Sequence, residues 1–81
     1  MSAVGFDSLR AIVAHVLEID VAEITDDLGP ATSGQWSSLR HIQLVAAIEQ
    51  AYDIRLSPRE IRSFSTYSEL SEIVASKGIT T

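Results

Sequence analysis

The chain of 81 residues contains no cysteine. That one absence removes a disulfide framework, a thiol nucleophile and every thiolate metal site. Basic residues are also scarce: six Lys and Arg face eleven Asp and Glu, for a net charge of −5. Nucleic-acid binding runs on clustered Lys and Arg, so a small helix-turn-helix DNA binder is set aside. No apolar run approaches the ~18 residues of a membrane span. The opening MSAVGFDSLR lacks the basic start and long apolar stretch of a secretory signal. A cytoplasmic protein without a membrane partner is the expectation. There are two histidines, His15 and His41, far apart in sequence, and the acidic residues have no EF-hand spacing. No metal site is expected, and both histidines are assigned to an exposed polar face.

What the chain does have is 46% hydrophobic residues, enough to fold. At this length one domain is expected over 1–81, with an ordered core from about residue 6 to 78, as a monomer. Such a domain buries roughly 60% of the surface its unfolded chain exposes, which supports one core and no deep, water-excluding active site. An autonomous enzyme is therefore not expected. Charge is uneven. Glu18, Asp20, Glu23, Asp26 and Asp27 form an acidic run, and no Lys or Arg lies between Arg10 and Arg40. The run is assigned to a solvated loop.

Leu9, Ile12, Val13, Val16 and Leu17 fall at helical spacing and predict a first helix over about 7–18, capped by Asp7 or Ser8. Arg10, His15 and Glu18 lie off that stripe. A long connection follows, IDVAEITDDLGPATSGQW, broken by Gly29, Pro30 and Gly34. A loop of that length in a small domain is functional or packed by its own apolar residues. Val21, Ile24 and Leu28 are its expected anchors. Leu39, Ile42, Val45 and Ile48 recur every three residues, with Leu44 and Tyr52 added, and predict a second helix over about 38–51. The connector DIRL turns Ile54 and Leu56 inward. Ser57-Pro58-Arg59-Glu60 reads as a capping box with Pro at the first helical position, opening a short helix that buries Ile61 and Phe64. Thr66-Tyr67-Ser68-Glu69 reads as a second box, opening a helix with Tyr67, Leu70, Ile73 and Val74 on one face; Lys77 and Gly78 end it. No segment alternates like a strand. The fold class is all-α: a small bundle of three main helices and one short one.

The chemistry on offer is narrow. Ser38 and His41 stand at i, i+3 on one helix, but an orienting group and a G-x-S-x-G elbow are missing, so a nucleophilic dyad is rejected. The serine pair in GQWSSLRH lies where a long loop becomes a long helix. One or both serines cap that helix, or one is modified by another enzyme. A helix N-terminus suits an attached phosphate, and Arg40 one turn on would add counter-charge.

Ser37-Ser38-Leu39, in register with four predicted helices, resembles the acyl carrier protein family over about residues 6 to 78. In that family the motif is usually Asp-Ser-Leu, and its serine receives 4′-phosphopantetheine from coenzyme A. The face Leu39, Ile42, Leu44, Val45, Ile48, Glu49 and Tyr52 is similar to the family's second helix, LSPREI to the approach to its third, and FSTYSEL to the entry of its fourth. The resemblance implies a stand-alone carrier that holds acyl groups as thioesters on an arm at Ser38, with Ser37 capping the helix. It implies a phosphopantetheinyl transferase and acyl-loading and acyl-transferring enzymes as partners. Leu39, Ile42 and Val45 are expected to support the site. Trp36, Arg40, His41 and Gln43 are counted as partner-facing; for Trp36, packing in the core over the cap is preferred to lining the cargo's path. Should cargo enter the bundle, Val45, Ile48, Ile61 and Leu70 are its expected walls.

The chain departs from the family at Ser37, where Asp is usual, and in its second helix, whose first turns offer Arg40, His41 and Gln43 instead of acidic residues. Docking is thus expected to be less electrostatic, or of different sign, than in fatty-acid synthesis. That implies a secondary-metabolite pathway: polyketide, nonribosomal or hybrid. A Gly-Gly-x-Ser pattern is absent, which weighs against an amino-acid carrier. The alternative from another class is an unmodified carrier-like interaction module.

Overall fold

A computed structural model describes residues 8–79. Four α-helices follow in order: α1 Leu9–Leu17, α2 Ser38–Tyr52, α3 Pro58–Ser63 and α4 Tyr67–Ser76, with a single 3-10 turn at Val21–Glu23. Among the described residues there is no strand. Asp7, one of the two expected caps, lies outside them; Ser8 takes the role, its side chain accepting from the Ala11 N–H.

Each helix starts where a hydroxyl can satisfy a free N–H. Ser37 accepts from Arg40 N at 3.2 Å, and Ser57 and Glu60 form a full reciprocal box. The expected second box is only half made. Thr66 accepts from Glu69 N, but the Glu69 carboxylate reaches one residue further back, to Ser65 N at 2.8 Å. The remaining donors of α4 are taken by the long loop: Tyr67 N donates to Leu28 O at 2.8 Å and Ser68 N to Asp26 O at 3.0 Å. The loop is thereby stitched to the start of α4. Gly29 sits at that seam so closely that a Cβ there would lie 2.0 Å from Ser65 O, a position only glycine fills.

The core joins Leu9, Ile12, Val13 and Leu17 of α1 to Leu44, Val45 and Ile48 of α2 and Tyr67, Leu70 and Val74 of α4, with Leu56 and Phe64 from the connectors. Ile24 and Leu28 anchor the loop as expected, and Trp36 joins them. Val21 does not: it is 47% exposed on the 3-10 turn. The acidic run is solvated throughout.

The expected face of α2 needs a larger correction. Leu39 is 66% exposed and Ile42 58% exposed, whereas Ile48 is fully buried. Strict three-residue spacing cannot stay on one side of an α-helix, because each residue turns about 100° and three fall about 60° short of a full turn. Leu39 and Ile48, nine residues apart, therefore point to about opposite sides. The stripe that faces the core runs through positions 41, 44, 45 and 48.

Candidate functional site

The head of α2 is where loop, helix and connector converge. Ser37 is the N-cap, with extended backbone, and Ser38 is the first helical residue. Both side chains are exposed. The two serines thus differ in kind: the Ser37 hydroxyl is engaged by Arg40 N, while Ser38 is an exposed residue of the first turn. As the first two helical residues, Ser38 and Leu39 have N–H groups without an intrahelical acceptor, at the positive end of a 15-residue helix.

His41 holds this corner together. Trp36 Nε1 donates to His41 Nδ1 at 3.0 Å, and His41 Nε2 lies 2.8 Å from Ile61 O. An indole N–H only donates, so Nδ1 accepts and the proton of the neutral ring sits on Nε2, aimed at the carbonyl. The imidazole also stacks on Phe64, with centroids 4.4 Å apart. Both ring nitrogens are committed, which leaves no lone pair for the Ser38 proton and disposes of a Ser–His dyad on geometric grounds. It also corrects the assignment of His41 to an exposed face. Pattern alone contained the signal, since His41 stands on the buried stripe with Leu44, Val45 and Ile48.

Arg40 turns away from the serines. Its guanidinium donates to Val16 O at 2.8 Å and lies 3.9 Å from Glu18. With Gln35 Nε2, which donates to Leu17 O at 3.2 Å, it satisfies the last carbonyls of α1. The expected role of Arg40 as counter-charge at Ser38 is therefore not met; it fastens α1 to α2. Trp36, counted as partner-facing, is 2% exposed and belongs to the core, the place preferred for it over the cargo's path. Gln43 is exposed, and so are Leu39 and Ile42, which flank the serines without underpinning them.

Beside Ser38 lies an open, mainly apolar groove of about 500 Å³, lined by Pro30, Trp36, Ser37, Ser38, His41, Ile42, Ile61 and Arg62. Of the four expected cargo walls, Ile61 lines it. Val45, Ile48 and Leu70 lie in the core, where only cargo that entered the bundle would meet them. Arg62 and Pro30 are groove residues that sequence reasoning did not assign to the site; no local signal marks Arg62, because only the placing of α3 beside α2 brings it into one groove with Ser38.

An exposed hydroxyl at a helix start, with an open, mainly apolar groove alongside, fits a phosphodiester followed by a long, flexible arm. The sequence model of the family described as the phosphopantetheine attachment site matches residues 7–74. The chain is 33% identical over 76 residues to the polyketide-8 synthase acyl carrier protein 2 of Streptomyces avermitilis, covering 94% of this chain and 87% of that protein. No described helix is long and apolar enough to cross a membrane. The chain belongs to the phosphopantetheine-binding acyl carrier family: it is a helical carrier that works with biosynthetic enzymes, not a catalyst, and its cofactor is 4′-phosphopantetheine.

Proposed function

We propose that Ser38 is the attachment residue and that the chain carries acyl intermediates of a polyketide-type pathway between enzymes. The observation that carries this is the division of labour between the serines: Ser37 already caps α2, so the exposed Ser38 hydroxyl has no structural duty. Serine in place of the usual aspartate at 37 keeps the cap and forgoes a charge. The arm supplies the thiol that the chain itself lacks, and acyl groups are held on it as thioesters. Pro30, Trp36, Ile42 and Ile61 offer the arm an apolar bed. His41 has no free lone pair, so the base that takes the Ser38 proton belongs to the phosphopantetheinyl transferase. Gln43, Leu39 and Ile42 form the surface offered to that enzyme and to acyl-loading and acyl-transferring partners.

Intact mass after incubation with coenzyme A and a broad-specificity transferase tests the assignment. Wild type and Ser37→Ala gain one phosphopantetheine, and Ser38→Ala gains none while keeping its helical spectrum. A gain lost only in Ser37→Ala would move the site by one residue. Absence of gain in all three, repeated with a transferase from the source organism, would favour an unmodified interaction module.

A further inference from the structure

Five cationic side chains bear on the described surface near α2 and α3; two of them are held by protein acceptors and two lie outside the groove that Ser38 lines. Arg40 is bound to Val16 O and Glu18. Lys77 Nζ donates to Glu60 Oε1 at 2.8 Å. Arg55 borders a separate depression beside Ala46, Glu49 and Asp53, and Arg59 is exposed away from the groove lining. Arg62 remains. It is exposed, lines the groove that Ser38 lines, and its guanidinium has no partner among the described residues. The other polar groups of that groove cannot substitute for it: His41 is neutral with both nitrogens engaged, and the Ser37 hydroxyl is used in the cap.

From this we infer that Arg62, not Arg40, is the cation that meets the phosphodiester of the arm and biases the arm to lie in the groove between α2 and α3. The inference rests on attachment at Ser38. A guanidinium presents donors in a fork that matches phosphate oxygens, and such charge-assisted bonds are the stronger ones. Because Arg62 lines the same groove as Ser38, its contact is assigned to the attached end of the arm. It acts as a positioning residue. With the phosphate held from the α3 side, the chain beyond it is directed across Ile42 and Ile61 in place of free solvent. Arg62 is exposed, so water and salt screen the contact and its effect is moderate.

The test uses wild type, Arg62→Gln and Arg59→Gln, each loaded with coenzyme A and transferase and counted by intact mass. Two signals are followed at low and high salt: the phosphorus-31 resonance of the phosphodiester and the Arg62 Nε–H resonance before and after loading. In wild type the Arg62 Nε–H shifts on loading, and high salt reverses the shift. In Arg62→Gln the phosphorus resonance moves to the wild-type high-salt position, and the emission of Trp36, the chain's one tryptophan, reports an arm about two- to fivefold less often in the groove. Arg59→Gln behaves as wild type. Loading on wild type without a salt-reversible Arg62 shift overturns this inference alone. Failure of wild type to load overturns it together with the carrier assignment. The wild-type salt titration decides the matter even if Arg62→Gln loads poorly.

Discussion

At the scale of single residues the most consequential side chain is one that does no chemistry. His41 joins the indole of Trp36 to the carbonyl of Ile61, so it ties the loop before α2 to the last turn of α3 across the groove. Truncating it in His41→Ala leaves the N–H of Trp36, a residue only 2% exposed, without its acceptor and uncovers a face of Phe64. Orphaning a buried donor costs about 1–3 kcal/mol, so the urea midpoint falls and the Trp36 emission changes in the native state. Unfolding at the wild-type midpoint would mean that the imidazole is a passenger. The same residue marks the limit of legibility in sequence. Its place on the core stripe was readable from its spacing to Leu44, Val45 and Ile48. Its partners were not, because Ile61 lies twenty residues away and reaches His41 only through the fold. Leu39 and Ile42 erred in the other direction: apolar character suggested burial, and the angle between Leu39 and Ile48 denies it.

Among the elements, starts were more legible than stops. Ser8, Ser37, Ser57 and Thr66 all cap helices, since a cap is a contact across three residues and sequence contains it whole. The ends of α1 and α2 are different. Glu18 and Asp53 take left-handed conformations at φ 58° and 55° where glycine is the usual occupant, so neither stop carried its customary sign. Helix-to-helix ties were hidden for the same tertiary reason as the partners of His41. The clearest is Glu60, which closes its own capping box and also accepts from Lys77 at the end of α4. The Lys77 hydrogen bond, followed by that from the Ser57 N–H, holds its carboxyl below its ordinary value of 4.5. A lowered folded value makes the contribution full above the unfolded value and lost as pH falls through the folded one. The helical content of α3 and the unfolding midpoint are therefore expected to decline on acidification below about that ordinary value. Lys77→Met flattens the Glu60 part of the decline, followed as the carboxyl carbon shift of Glu60 by NMR. An unchanged Glu60 titration in Lys77→Met would show that the ion pair is not formed in solution.

Across the whole molecule, charge and apolar surface are sorted to different places. Glu18, Asp20, Glu23, Asp26 and Asp27 lie exposed at the end of α1 and on the loop after it, while the outward residues Leu39, Ile42, Gln43 and Ala46 of α2 carry no charge. The net charge of −5 thus says little about the surface around Ser38, where Leu39 and Ile42 are exposed and Ile42 shares a groove with Arg62. A partner that reaches Ser38 meets apolar side chains first, and burying two of them on docking favours association by a term that salt hardly screens. Leu39→Ala and Ile42→Ala are both expected to change the unfolding free energy by no more than about 0.5 kcal/mol, as befits exposed positions. Ile48→Ala, fully buried on the same helix, costs about 2–5 kcal/mol. Loading kinetics reverse that order. The double variant at 39 and 42 loses about tenfold or more in the transferase's kcat/KM, whereas Ile48→Ala, assayed where it remains folded, loads close to the wild-type rate. Wild-type loading changes little as salt is raised. Should loading instead collapse with salt while the double variant loads normally, docking is electrostatic and the apolar pair serves some other contact.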